Sequence, residues 1–161
     1  MRAMTKNFGE IEIADDKIIV FDKGIIGFPE LREFALIYNE DRGSNGGSIR
    51  WLQSMNRGDF AMPVMDPLVV DPSYNPQVDD ELLKPLGEMN PYAMVVLVTV
   101  TVPKDIKYIT VNLKAPIVIN GCNSAAAQLI VDGDEYKVKF PIYDILQMRK
   151  AEGKVSEQGG V

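Results

Sequence analysis

The chain has 161 residues, 46% of them hydrophobic and 25% charged, which is the composition of one soluble globular domain with a hydrophobic core. It contains no histidine and a single cysteine, Cys122, which excludes an intramolecular disulfide, a multi-cysteine zinc site and the usual imidazole-dependent triads. The net charge of −6 disfavours direct nucleic-acid binding and favours a basic protein partner.

The N-terminal part of the chain predicts short β-strands. Residues 8–13 alternate polar and apolar side chains, and their spacing from a second strand at residues 17–21 predicts a hairpin. Two glycines and a proline bracket the apolar residues of 24–31, so the sequence sets the backbone shape there. A short helical turn is predicted at 30–33 and a third strand at 34–38.

The middle of the chain is rich in glycine and proline. Residues 41–48 carry three glycines but no following Gly-Lys-Ser/Thr, which indicates a mobile hairpin loop and not a phosphate-binding loop. Residues 49–54 predict a fourth strand. Stretches 60–65 and 68–70 are strand-like, but prolines interrupt them, which predicts an edge strand, a bulge or a bend.

A short helix is predicted at residues 79–87, which begin with acidic side chains and end at a glycine. The stretch that follows is dominated by β-branched residues and predicts three strands, at 92–102, 108–113 and 114–120. It contains almost none of the side chains that catalysis uses.

The C-terminal part predicts a last hairpin from strands at 126–131 and 136–140, joined by a turn at 132–134. Apolar residues at helical spacing predict a short amphipathic helix from about 142 to 151. The composition of 152–161, with Gly, Ser and Gln and no aromatic residue, predicts a disordered tail.

About ten strands and two short helices predict a mainly β chain. We expect one antiparallel β-barrel-like domain over residues 1–151, because the connections are too short for the crossover helices of a parallel sheet. No apolar segment approaches the ~20 residues of a membrane helix, and no secretory signal follows the first residues. A cytoplasmic, monomeric protein is expected, without membrane association.

Two alternatives to protein binding remain open at this point. A set of acidic residues permits a carboxylate-dependent metal protein or enzyme, although the spacing does not match an EF-hand loop and turn-forming roles are favoured: Asp59, Asp66, Asp71, Asp79, Asp80 and Glu81. Four aromatic residues permit an OB-like nucleic-acid-binding module, although core packing is favoured in an acidic chain: Tyr38, Trp51, Phe60 and Tyr74.

Four blocks of sequence are distinctive. They are, in order, Gly27-Phe28-Pro29-Glu30-Leu31 with Phe34-Ala35-Leu36; Trp51-Leu52-Gln53-Ser54 with Phe60 and Asp66-Pro67; Thr99 to Pro103 with Asn112 to Asn120; and Ala127 to Ile130 with Tyr136 to Ile142. Together they resemble the sequence blocks of the flagellar assembly factor FliW family. The blocks cover roughly residues 8–143 in the family's order.

The resemblance implies a small cytoplasmic β-barrel-like protein with no enzymatic activity, no cofactor and no metal. It implies two partners: flagellin, and the carbon storage regulator CsrA, a small basic RNA-binding dimer that represses flagellin translation. The implied mechanism is partner switching, in which flagellin occupies the protein until export releases it to bind CsrA. The residues expected to contact partners are Phe28, Pro29, Glu30, Asp66, Asp71, Tyr74, Asn112 and Pro116, and for Asn112 and Pro116 a structural turn is an equal reading.

Overall fold

The computed structural model describes residues 1–38, 49–88 and 90–149. The predicted loop at 41–48 and the predicted tail at 152–161 lie outside the described residues, as do the last two positions of the predicted domain. The described part contains eleven strands: β1 Arg2–Thr5, β2 Gly9–Glu12, β3 Ile19–Phe21, β4 Glu33–Tyr38, β5 Ile49–Ser54, β6 Ala61–Met65, β7 Met94–Thr101, β8 Thr110–Val111, β9 Ile117–Asn120, β10 Ala125–Gln128 and β11 Phe140–Pro141.

Seven of these strands close into a barrel. The pairing runs β3–β4–β5–β6–β7–β9–β10 and returns from β10 to β3. The predicted mainly β, barrel-like fold is therefore confirmed. The expectation of purely antiparallel pairing is wrong at one position, because β10 runs parallel to β3. A parallel pair needs a long connection, and here the intervening barrel strands provide it.

The barrel interior is filled by alternate residues of the paired strands. Its centre is aromatic: the rings of Phe21 and Phe34 meet edge-on at 5.2 Å, and both side chains are fully buried. Aliphatic residues from the other strands surround them, namely Ile19, Leu52, Val64, Leu97, Ile117, Ile119 and Ala126. Because successive strand residues point to opposite faces, the same strands also supply an outer apolar face, on which Met65 and Val98 are buried.

The first predicted hairpin, between residues 8–13 and 17–21, does not form. Strand β2 pairs with β1, a strand that the sequence analysis did not predict, and β3 joins the barrel. The turn between β1 and β2 is closed by the Thr5 hydroxyl, which donates to Gly9 O and accepts from Phe8 N. Residues Asp15–Lys17 form a 3₁₀ turn in place of the predicted hairpin loop.

The last predicted hairpin is also wrong. Strand β10 pairs with β9 and β3, whereas β11 pairs with β8, which extends the end of β7 as a small side sheet. The segment between β10 and β11 contains no strand, and within it Tyr136 is buried against Tyr74, with ring centroids 4.7 Å apart.

Two other local predictions are corrected. The helical turn predicted at 30–33 is absent: the chain turns at residues 29–30, and β4 already begins at Glu33. The strand predicted at 68–70 is a 3₁₀ turn, Pro67–Val69.

Both predicted helices are present. The first is Asp80–Leu83, which a 3₁₀ turn at Lys84–Leu86 continues, and its N-cap is Asp79. The second occupies residues 143–149 and packs through Ile145 and Leu146 on the outer apolar face of the barrel. The helix of 79–87 covers the outside of β9 and β10, where Leu86, Val118 and Leu129 form a separate buried cluster.

Candidate functional site

A groove of about 670 Å³ runs along one edge of β7. It exists because β6 pairs with β7 over only two residues, Val98 and Thr99. Beyond these, Met94–Leu97 pair with β9 on one side. On the other side, β6 has ended and leaves an open space.

The end of β6 is set by Asp66 and Pro67. In the register of the two strands these residues would lie opposite Leu97 and Val96. Proline has no N–H to donate to β7, and the Asp66 carboxylate accepts a hydrogen bond from Leu68 N at 2.9 Å, which caps the 3₁₀ turn Pro67–Val69. The two carbonyl groups accept from Val69, Val70 and Asp71 within the turn. The chain therefore turns away from β7 after residue 65, and β6 does not pair with the first half of β7.

Four consecutive residues of β7, Met94–Leu97, line the groove. Successive side chains of a strand point to opposite faces, so a cavity bounded by all four lies along the edge of the strand and not over one face. Met94 and Val95 are exposed, and so is Leu68 at the end of the groove. The floor and rim of the groove are thus largely apolar.

The facing wall is the segment 74–78, which Tyr74 anchors. The Tyr74 hydroxyl donates to Leu113 O at 2.7 Å, and Asn75 N donates to the Tyr136 hydroxyl at 2.9 Å. Burial, and then the charges of Tyr136 and Asp71, raise the pKa of Tyr74 well above its ordinary value, so the hydroxyl remains a donor. This wall is therefore fixed to the turn that follows β8.

Asn112 shapes that turn. Its side-chain oxygen accepts hydrogen bonds from Lys114 N and Ala115 N, each at 3.1 Å. The turn places Pro116, which is buried, at the groove. Asn112 itself is half-buried, and its role in this structure is to hold the turn that positions Pro116.

The loop that carries Phe28, Pro29 and Glu30 lies elsewhere, at a mouth of the barrel. Phe28 is half-buried and packs on Phe60 with ring centroids 4.7 Å apart, whereas Pro29 and Glu30 are exposed. Gly24 permits the loop, because it has φ +68° and a Cβ there would lie 2.4 Å from Pro29 O.

Gln128 connects this loop to the turn behind the groove. Its side-chain oxygen accepts from Ile26 N at 2.9 Å, and its side-chain nitrogen donates to Ala115 O at 3.3 Å. One side chain of β10 thus bridges the mouth loop and the residue that precedes Pro116.

The structure brings together part of the predicted set of contact residues. Asp66, Tyr74 and Pro116 line the groove. Asp71 is next to it, since its carbonyl accepts from Tyr74 N at 3.0 Å. The sequence analysis missed the β7 edge and Arg50, whose guanidinium lies 4.9 Å from the centre of the Tyr38 ring. The prolines at 63, 67, 72 and 76 signal irregular chain, but nothing in the sequence shows which strand is left open beside it.

The chain segment that supplies most of the groove lining is acidic. Residues 58–103, which supply most of the groove lining, carry seven acidic side chains and one basic one, Lys84. The rest of the chain carries sixteen of each. Of these side chains Asp66 lines the groove, whereas Asp59 is paired with Arg57 at 2.9 Å and Lys84 with Glu81 at 2.7 Å.

The described residues contain no group of three or more His, Cys, Asp or Glu side chains placed to hold a metal ion. No helix in that part of the chain is long and apolar enough to cross a membrane.

Comparison with known proteins gives a consistent result. The sequence profile of the family described as FliW protein matches residues 2–142. A flagellar assembly factor FliW of Lachnospira eligens is 47% identical over 148 residues, which are 91% of this chain and 97% of the relative. That of Lachnoclostridium phytofermentans is 41% identical over 145 residues, 90% and 92% of the two chains. A crystal structure of the flagellar assembly factor FliW superimposes with a TM-score of 0.80 at 31% identity, covering 89% of this chain and 97% of the other.

Proposed function

The chain belongs to the FliW family of flagellar assembly factors, and on this premise we propose that it binds flagellin and the translational repressor CsrA. It acts without enzymatic activity, in the cytoplasm, by partner switching. Flagellin that awaits export occupies the protein, and export of flagellin frees it to bind CsrA and relieve repression of the flagellin message.

The observation that carries the proposal is the concentration of the net charge. An acidic chain segment beside an apolar groove suits a basic protein, because complementary charge steers the encounter and excludes partners of like charge. Asp66, which is exposed, lines the groove, and Asp71, which is half-buried, lies next to it. They are the acidic residues that we propose contact CsrA.

The mouth loop is the second proposed contact region. Pro29 and Glu30 are exposed there, and Ile26, beside them, is an exposed large apolar side chain. The Gln128 bridge joins this loop to the turn behind the groove. In this proposal the Gln128 bridge is the route by which occupation of one region affects the other. Partner switching requires that flagellin and CsrA weaken each other's binding by the same factor.

Titration calorimetry with purified flagellin and with purified CsrA tests the proposal. We expect each to bind with a dissociation constant of about 1 µM or tighter, which corresponds to about −8 kcal/mol. Prior saturation with flagellin should raise the apparent dissociation constant for CsrA. The proposal would be wrong if neither protein gave a heat of binding and size-exclusion chromatography showed no complex with either.

A further inference from the structure

The backbone groups of β7 point alternately to its two sides, and two hydrogen bonds fix which residues point where. Ala93 O accepts from Gly121 N at 2.8 Å, and Thr99 O accepts from Asn112 N at 3.0 Å. Both donors lie on the side of β8 and β9. In an antiparallel strand the N–H and C=O of one residue share a side, and the side alternates along the chain.

It follows that Val95 and Leu97 bond to β9, like their odd-numbered neighbours Ala93 and Thr99. Met94 and Val96 direct their N–H and C=O groups to the opposite side, into the groove. Val98 points the same way and meets Met65 of β6 there. Among the described residues, no backbone hydrogen bond joins Met94 or Val96 to the facing wall at 74–78. The groove is therefore bounded by an unpaired ladder edge.

Such an edge can accept an extended peptide as an additional strand. The edge is four residues long, or about 13 Å at a rise of about 3.3 Å per residue, so it fits about four residues of a partner. Because strand addition places alternate side chains on opposite faces, one set would meet the exposed Met94 on one face of the sheet and the other set would meet the exposed Val95 on the opposite face. The exposed Leu68 and Asp66 also line the groove.

We infer that the groove binds one extended segment of a basic protein partner, containing both apolar residues and lysine or arginine, which adds as a strand to the β7 edge at Met94 and Val96. This inference rests on the proposed function, in which CsrA is the basic partner. It adds the binding mode and the backbone groups that carry it.

Residue-resolved amide exchange by NMR on the full chain tests the inference. In the free protein we expect slow exchange at Val95 and Leu97, which bond to β9, and fast exchange at Met94 and Val96. Saturation with CsrA should slow Met94 and Val96 at least tenfold and leave Val95 and Leu97 unchanged. A helix lying in the groove would not reproduce this alternation, because its backbone bonds are satisfied internally.

The outcomes separate the two proposals. If calorimetry detects no CsrA binding, the proposed function fails, and the exchange pattern of the free protein still tests the open edge. If CsrA binds but Met94 and Val96 are not protected, strand addition is wrong and the proposed function stands. Protection of these amides by flagellin and not by CsrA would overturn the assignment to a basic partner.

A proline scan gives an independent readout. Val96→Pro removes one groove-side N–H without removing a bond to β9, and we expect the affinity for CsrA to fall at least tenfold. Val102→Pro is the matched control. Residue 102 is even-numbered like residue 96, but it follows the end of β7 beyond the groove and is 51% exposed. Equal affinities of the two variants, both with wild-type melting temperatures, would overturn the inference. If Val96→Pro does not fold, the exchange experiment on the wild-type chain decides.

Discussion

At the scale of single residues, Tyr74 joins the wall of the groove to the rest of the fold. It is 8% exposed, its ring packs on Tyr136, and its hydroxyl donates to the buried carbonyl of Leu113. The phenol thus satisfies a main-chain acceptor that water does not reach. Its position in the structure is that of a support for the groove more than of an open contact surface.

Replacing Tyr74 with phenylalanine should destabilise the protein by about 1–3 kcal/mol, because Leu113 O loses its donor while remaining buried. Urea unfolding measures this, with Tyr92→Phe as the control, since Tyr92 is 99% exposed. The folded state also raises the Tyr74 pKa. The protonated Tyr74 hydroxyl therefore contributes its full stabilisation below about pH 10, the ordinary tyrosine pKa. This contribution declines as the pH rises from there towards the higher pKa of Tyr74 in the folded state. Stability that falls equally with alkaline pH in Tyr74→Phe and in the wild type would contradict this account.

At the scale of elements, the β1–β2 hairpin forms a separate sheet that packs on the outside of the barrel. Its apolar residues, among them Ala3 and Ile11, cover Ile18, Ala35 and Met55. The hairpin is joined to the turn after β5 by a hydrogen bond from Lys6 N to Gly58 O at 3.0 Å. A Cβ at Gly58 would lie 2.0 Å from Met4 O, so only glycine allows this close approach.

Gly58→Ala should therefore push the hairpin outward and destabilise the protein by about 1–3 kcal/mol, the usual effect of overpacking. Amide exchange at Arg2–Thr5 should accelerate more than exchange in the barrel strands. Gly27→Ala is the control, because a Cβ at Gly27 meets no atom within 4 Å although its φ is +88°. If both variants leave the hairpin amides equally protected, the close approach at Gly58 is not what holds the element.

Elements with clear alternation could be predicted from the sequence, and elements held by distant contacts could not. Strands β4, β5 and β7 lie where β-branched and aromatic residues predict them. Strand β1, Arg-Ala-Met-Thr, carries no such pattern and forms because β2 and Gly58 lie beside it. The pairing of β10 with β3 joins residues more than a hundred positions apart, which no local signal reports.

The same division applies to the site. The position of Asp66 and Tyr74 in irregular chain could be predicted, because prolines surround them. The open edge of β7 could not, because Met94–Leu97 read as an ordinary strand. Whether a strand is paired on both sides depends on where its neighbour ends. Here a capped 3₁₀ turn at Pro67–Val69 ends β6 two residues into the pairing.

At the scale of the whole molecule, the acidic segment of the chain is also the segment that forms most of the groove. The stretch 58–103 carries the entire net charge, and it also forms most of the groove walls and the helix Asp80–Leu83 beside them. The rest of the chain is neutral in sum. A basic partner is therefore attracted towards one side of the protein, and the attraction weakens beyond a Debye length of about 10 Å at 0.1 M salt.

This polarity predicts the kinetics of association with CsrA. The rate constant should fall as salt rises, and Asp66→Asn should lower it by about two- to fivefold at low salt, the size expected for one exposed charge. Asparagine keeps the capping acceptor, so the local turn is retained. Asp105→Asn is the matched control: Asp105 also caps a 3₁₀ turn through the hydrogen bond from Lys107 N, but it lies outside the acidic stretch. Stopped-flow measurements at several salt concentrations compare the two. Since both variants lose one charge and keep one cap, an equal decrease would mean that total charge, and not its position at the groove, steers the partner.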